Sequence, residues 1–276
     1  MSDTLGSGDS VARTDDEFID SFRQPMTQGN WVRDMNPLSV FLILGALPLI
    51  AVAVSGILAP SIICVTLVLI AFVGGVGRSF TVTYFKLWIA IGLLLFVLRS
   101  AFFEGGNVLF TVGKITVSTE GLMDGLRFSL LVMAFSGAVT LYFALVPIKY
   151  LTLALELKGV SPRATYVLLA AFQAITDLGK NARVIMDAQK SRGIETEGNI
   201  IQRVKAFVPV LAPVFLSAMA ATEEKAIALD ARAFNSREAH SHLVSLRATP
   251  AWEIVLVVFS LLGVVVACAV AVLSWY

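Results

Sequence analysis

Long runs without charge alternate with one stretch that is dense in it. From Leu38 to Val76 no charged residue occurs, over about twice the ~20 residues that a helix needs to cross the hydrocarbon core. Gly56 and Pro60 divide this run. The pattern predicts two spans, 38–55 and 57–73, joined by a tight turn, because proline fits the first turn of a helix. Pro48 predicts a kink in the first span. Further spans are predicted at 85–103, 128–146 and 254–273. Lys86 and Arg99 stand near the ends of the third, where they can snorkel toward headgroups. Trp252 and Trp275-Tyr276 bracket the last as interfacial aromatics.

Between the third and fourth spans, "NVLFTVGKITVST" alternates β-formers around Val-Gly-Lys. This predicts a small hairpin near 104–120, lying on the outer membrane surface. Residues 1–36 are polar and acidic, without the basic-then-apolar start of a signal peptide, and read as a largely disordered or surface-lying cytoplasmic leader. The stretch 149–250 holds more than half of the chain's 21 basic residues. Its two apolar segments, 164–176 and 206–221, are short, and the second carries Pro209 and Pro213. The predicted fold is an all-α integral membrane protein. It has about five transmembrane helices, two to three long cytoplasmic amphipathic helices and the external hairpin. The corresponding divisions are 1–36, 37–148, 149–250 and 251–276.

Composition agrees: 57% of residues are hydrophobic and only 15% charged, against about 25% charged in soluble domains. A net charge of +1 argues against a nucleic-acid partner. Cys64 and Cys268 lie in apolar runs and read as small buried hydrophobes. Arg33, Arg78, Lys86, Lys149, Lys158, Arg237 and Arg247 fall on one side of the five-span topology, and Arg99, Lys114 and Arg127 on the other. That bias predicts a cytoplasmic amino terminus, an external carboxyl terminus and a cytoplasmic 149–250 stretch.

Within that stretch two helices are predicted to end alike. After Ser161-Pro162, apolar residues recur at Val167, Ala171, Ile175, Leu178, Ala182 and Ile185, one face of a helix. It should stop at Arg192, because Gly193 suits a left-handed cap. The second face runs Phe215, Ala218, Thr222, Ala226, Leu229, Ala233, with Asn235 as the expected cap. "IMDAQKSRGIE" and "IALDARAFNS" thus each bring an arginine to a helix end among small residues. Favourable interaction with the helix dipole explains any one such cation. Two of them, flanked by Ser191, Gly193, Ala231 and Ala233, predict guanidinium groups that emerge together and pair bidentately with a cytoplasmic partner. The apolar part of the first helix, about 13 residues, is short of a spanning length. That of the second, about 16 residues with two prolines, is a poorer but possible span.

Other motifs fall away. "GGVGRS" (74–79) lacks the Gly-Lys-Ser/Thr ending of a phosphate loop and reads as a loop at a span end. His240 and His242 have no accompanying thiol or carboxylate cluster. Glu223 and Glu224 are adjacent on a helix and point about 100° apart, so they do not form an acid–base pair.

On these residues the sequence resembles the transmembrane coupling (T) subunits of energy-coupling factor transporters, the group containing the cobalt and biotin uptake permeases. That family carries two Ala-Arg-Gly-like triplets at the ends of cytoplasmic coupling helices. Here they are Ser191-Arg192-Gly193 and Ala231-Arg232-Ala233, with Ser for Ala in the first and Ala for Gly in the second. "RVKAFVPVLAPVFLSAMAATEEKAIALDARAF" is similar to the family's proline-containing coupling segment, and "GGNVLFTVGKITVSTEGLMDGLRFSLL" to its external hairpin and following span. "DMNPLSVFLIL" resembles its Asp-Pro entry, with Asn36 before Pro37.

The resemblance implies a non-catalytic subunit of the cell membrane, with no cofactor or metal of its own. Each arginine would enter one of two ABC-type ATPase subunits. Val210, Leu211, Val214 and Phe215 would face a small hydrophobic substrate-capture (S) subunit, which would select a vitamin or transition-metal cargo. The competing functions are a self-sufficient secondary carrier and a membrane anchor for an unrelated cytoplasmic complex. Against the carrier, the five predicted spans contain no mid-span acidic residue or histidine.

Overall fold

Asn36 and Pro37 begin the first helix, α1 (Pro37–Ala53). The Asn36 side chain accepts from the Leu38 amide at 3.1 Å, and proline in the first turn forfeits no intrahelical bond. The structure is a computed structural model that describes residues 24–25, 29–102, 108–112, 115–193, 199–234, 244–247 and 249–273. Most of the expected leader, Asn235, His240, His242 and Trp275-Tyr276 lie outside the described residues.

After Gly56, α2 (Leu58–Val73) starts with Pro60 in its first turn. Next come α3 (Gly77–Ala101), α4 (Thr119–Leu145), α5 (Ile148–Leu157), α6 (Pro162–Ser191), α7 (Ile200–Ala231) and α8 (Ala251–Leu273). Two strands, β2 (Val108–Val112) and β3 (Ile115–Ser118), pair antiparallel between α3 and α4. Two-residue strands β1 (Gln24–Pro25) and β4 (Val244–Ser245) pair in parallel.

Among the described residues, four segments are long and apolar enough to cross a membrane: α3, α4, Phe207–Ala231 within α7, and α8. These four do not coincide with the five expected spans. α1 and α2, expected as spans, have 17 and 16 residues. At 1.5 Å per residue that is roughly 25 Å, at the lower edge of a spanning length. The segment of α7 that reads from the sequence as a poorer but possible span, because of its prolines, has the apolar length to cross.

α3 begins eight residues before its predicted start, because Gly77, Arg78 and Ser79 form its first turn rather than a loop. Lys86 therefore lies well inside the helix and not at its end. A π-helical turn, Trp88–Gly92, interrupts α3, and the buried Ser129 hydroxyl donates to the Gly92 carbonyl at 2.7 Å. That bond stabilises a backbone group the altered ladder would otherwise strain.

The chain forms two compact units, residues 1–154 with 242–276, and residues 155–241. In the first, α4 is the hub. Its Ala134, Ala138, Leu141 and Leu145 pack with Val40 and Leu44 of α1, Ile63 and Leu67 of α2, and Phe80 of α3. Small residues let these backbones close up, as expected where lipid supplies no hydrophobic drive between helices. A Cβ at Gly137 would sit 2.6 Å from the Tyr84 ring. α8 packs on α1: Trp31 and Trp252 meet at 4.5 Å between ring centroids, and the Glu253 carboxylate accepts from the Asn36 amide at 2.8 Å. Glu253 is 1% exposed. Ala267, farther along α8, is also buried, whereas Cys268 beside it is exposed rather than buried.

The second unit is an αα-hairpin. Asp177 of α6 lies 3.8 Å from Lys225 of α7, and Tyr166 packs on Phe234 at 5.1 Å. Residue numbers rise along one helix as they fall along the other, so the two run antiparallel. The surface ion pair reports this geometry more than it stabilises it.

Candidate functional site

α6 is started by Ser161, whose hydroxyl accepts from the Ala164 amide, with Pro162 in the first turn, as the sequence predicts. Thr165 then donates to Glu156 at 3.1 Å, tying the first turn to the segment before it. Thirty residues later the helix ends at Ser191, and Arg192 is its C-cap. The Arg192 amide donates to Gln189 O at 3.1 Å and the Gly193 amide to Lys190 O at 2.9 Å. Gly193 has φ +88°, the left-handed position that glycine adopts without strain.

α7 ends the same way. The Arg232 amide donates to Leu229 O at 3.2 Å, the Ala233 amide to Asp230 O at 3.0 Å, and the Phe234 amide back to Leu229 O at 3.0 Å. Together the last two bonds make a Schellman cap, which satisfies carbonyls that a helix end leaves open. The left-handed residue is Ala233, at φ +53°, the one non-glycine with positive φ among the described residues. The expected cap at Asn235 is thus replaced by Ala233, two residues earlier. In both triplets the arginine occupies the same position: one residue past the helix, one before the left-handed turn.

Both arginines are exposed, and neither makes an ion pair among the described residues. The Ser191 hydroxyl turns back and donates to the Asp187 carbonyl at 3.2 Å. The structure does not bring the two guanidinium groups together. Because the hairpin is antiparallel, Arg232 lies at the end where α6 begins, near Tyr166. Arg192 is 26 positions farther along α6, roughly 39 Å away at 1.5 Å per residue. Sequence periodicity assigns a face to each helix and says nothing of their relative direction, so the separation was not visible in it.

Among the described residues, the apolar faces predicted for the hairpin are largely exposed, as at Val167, Ile175, Leu178 and Phe215. Among the four residues expected to face a partner, Leu211 is 57% and Phe215 64% exposed, and Val214 is half-buried. Val210 is buried. Sequence reasoning missed the Tyr166–Phe234 contact and the buried Glu253. A lone carboxylate beside Trp252 reads as interfacial until its partner Asn36, distant in sequence, is seen.

The family model described as cobalt transport protein, CbiQ, matches residues 28–243. The chain is 30% identical over 212 residues to the energy-coupling factor transporter transmembrane protein EcfT of Streptococcus equi subsp. equi, covering 72% of this chain and 78% of that one. It is 28% identical over 197 residues to the protein of the same name from Thermosediminibacter oceani, covering 68% and 74%. A third EcfT, from Lactococcus lactis subsp. cremoris, is 26% identical over 207 residues, covering 66% and 73%. With the family's pattern matched across both the helical core and the arginine-tipped hairpin, the chain belongs to the CbiQ family of energy-coupling factor transporter transmembrane components.

Proposed function

We propose that this chain is the coupling subunit of an ATP-driven importer of a vitamin or transition-metal ion. Arg192 and Arg232 each dock one of two ABC-type ATPase subunits, and the hairpin passes their motion to a substrate-capture subunit. The observation that carries this reading is the repeated cap, with an unpaired, exposed arginine at the C-cap and a left-handed residue after it. Dipole interaction alone, worth about 0.3–1 kcal/mol, requires a cation near the last turn but not this duplicated frame. A separation of roughly 39 Å suits two binding grooves on two subunits rather than one groove holding both arginines.

When the ATPase pair closes on nucleotide, the two caps are drawn toward each other, and the helices behind them tilt. Leu211, Val214 and Phe215 then form the apolar surface on which the capture subunit slides. ATP hydrolysis belongs to the partners, and cargo choice to the capture subunit. The arginine caps and the amino terminus face the cytoplasm, and the carboxyl terminus lies outside.

The test is co-purification from native membranes. Arg192→Ala and Arg232→Ala should each weaken ATPase retention by about 2–5 kcal/mol, the usual cost of truncating one partner of a buried charged pair. Lysine at either position should restore only part of it, since its point charge cannot pair bidentately. Topology is tested separately, because Phe207–Ala231 is apolar enough to cross the bilayer. With Cys64 and Cys268 replaced by alanine, neither Arg192→Cys nor Arg232→Cys should react with a membrane-impermeant thiol reagent outside intact cells. Labelling at one of them would place the arginines on opposite sides and favour a carrier-like arrangement. Full ATPase retention in the double alanine variant would end the coupling reading.

A further inference from the structure

We infer that the turn between α2 and α3 binds the phosphate of an anionic phospholipid through Arg33 and Arg78. Both residues line one open groove of about 580 Å³, with Ser79, Val82 and Thr83 along its α3 side. That volume lies within the range of small-ligand sites. Arg33 is fixed there by the chain preceding α1. Asn30 donates to the Val73 carbonyl at 2.9 Å, and Arg33 Nη2 donates to the Gly75 carbonyl at 3.4 Å. The Arg33 Nε is shielded from solvent and has no hydrogen-bond partner. A guanidinium that has spent one of its five donors on a long bond, and hidden another without an acceptor, is incompletely satisfied.

Among the described residues no carboxylate lines this groove. Asp34, next in sequence to Arg33, lines a neighbouring small pocket together with Arg33, Tyr150 and Arg247. Ser79 and Thr83 are four apart on α3, so they share a face and add hydroxyl donors beside the two cations. The chemistry is that of an oxyanion receptor.

The surroundings choose between a free anion and a lipid. The groove opens at the end of a membrane-spanning helix, where headgroups lie. Immediately along α3, Val82 and Phe85 are 50% and 58% exposed. An occupant whose phosphate meets the arginines therefore has acyl chains against that wall. Inorganic phosphate would gain nothing from it.

The full-length chain in neutral detergent is titrated with dioctanoyl phosphatidylglycerol, dioctanoyl phosphatidylcholine or glycerol phosphate, and bound species are counted by native mass spectrometry. One phosphatidylglycerol should be retained preferentially over the other two. Arg33→Gln with Arg78→Gln should weaken its retention on the order of 30-fold, from ~1 kcal/mol per cation at a lipid surface. Arg33→Lys with Arg78→Lys should recover most of that loss, which a misfolded protein would not do. Lys149→Gln with Lys158→Gln removes equal charge elsewhere and should change nothing. The proposal is overturned if the glutamine pair binds phosphatidylglycerol like the parent, or if the Lys149/Lys158 pair loses as much. It is also overturned if glycerol phosphate binds as tightly as the lipid, which would make the groove a free-anion site.

Discussion

α4 and the α6–α7 hairpin consist of helices of similar length that solve opposite problems. α4 has 27 residues and buries Met133, Ala134, Ala138, Leu141 and Leu145 within its own chain. α6 has 30 and buries only Thr165 and Gln189, while α7, among its described side chains, buries Val210. Both carry apolar residues at helical spacing. The difference lies in what stands opposite. Around α4, glycines and alanines admit neighbouring helices to close contact, whereas the hairpin's stripe meets no such complement within its unit. Apolar periodicity shows that a face must be covered; small residues on the facing helices show that the chain covers it itself.

The largest effect that would break this contrast is in the core. Leu141→Ala should lower stability by about 2–5 kcal/mol, because a fully buried side chain leaves a cavity that packed helices fill only partly. In lipid or detergent the transfer contribution is small, so the lower end of that range is expected. Phe215→Ala, on the exposed face, should change stability by no more than about 0.5 kcal/mol. Thermal unfolding in the same detergent measures both. If removing Phe215 costs as much as removing Leu141, the hairpin's stripe is an internal core and not a partner surface.

A middle-sized effect tests the buried polar join between α1 and α8. Glu253→Ala strands the Asn36 amide at the start of α1 and should cost about 1–3 kcal/mol. Glu253→Gln keeps an acceptor oxygen and should lose clearly less. Equal losses in the two variants would show that packing at this position, and not the hydrogen bond, holds the first helix to the last.

These elements differ in how far the sequence disclosed them. The apolar runs of α2, α4 and α8 were legible because lipid tolerates little else over such lengths. The start of α3 was not, since Arg78 and Ser79 read as part of a loop at a span end. Yet helical hydrogen bonding continues through them and satisfies their backbone. The π turn at Trp88–Gly92 leaves no periodic mark, and it is held by a hydroxyl from another helix, Ser129. Both arginine triplets could be found by eye, and Gly193 announced the first cap. The second was hidden, because alanine does not advertise a left-handed turn. The separation of roughly 39 Å depends on the antiparallel direction of α6 and α7, which only the contacts of Asp177 and Tyr166 reveal.

The smallest expected effect lies in that hidden cap, and it compares the two arginine ends directly. Ala233 holds φ +53° where α6 uses Gly193 at φ +88°. A left-handed L-residue costs about 1–2 kcal/mol. Glycine avoids that strain but loses roughly 0.4–1 kcal/mol more chain entropy on ordering. The strain is the larger of the two. Ala233→Gly should therefore tighten the α7 cap by about 0.5–1 kcal/mol, and Gly193→Ala should loosen the α6 cap by a similar amount. Hydrogen exchange at the cap amides, Ala233 and Phe234 in one helix and Arg192 and Gly193 in the other, reads each end separately, which global unfolding cannot. Slower exchange in Ala233→Gly and faster exchange in Gly193→Ala would show that both arginines are held by the same device at different strengths. Faster exchange in Ala233→Gly would mean that the packing of Phe234 on Tyr166, and not the Schellman bonds, sets where Arg232 points.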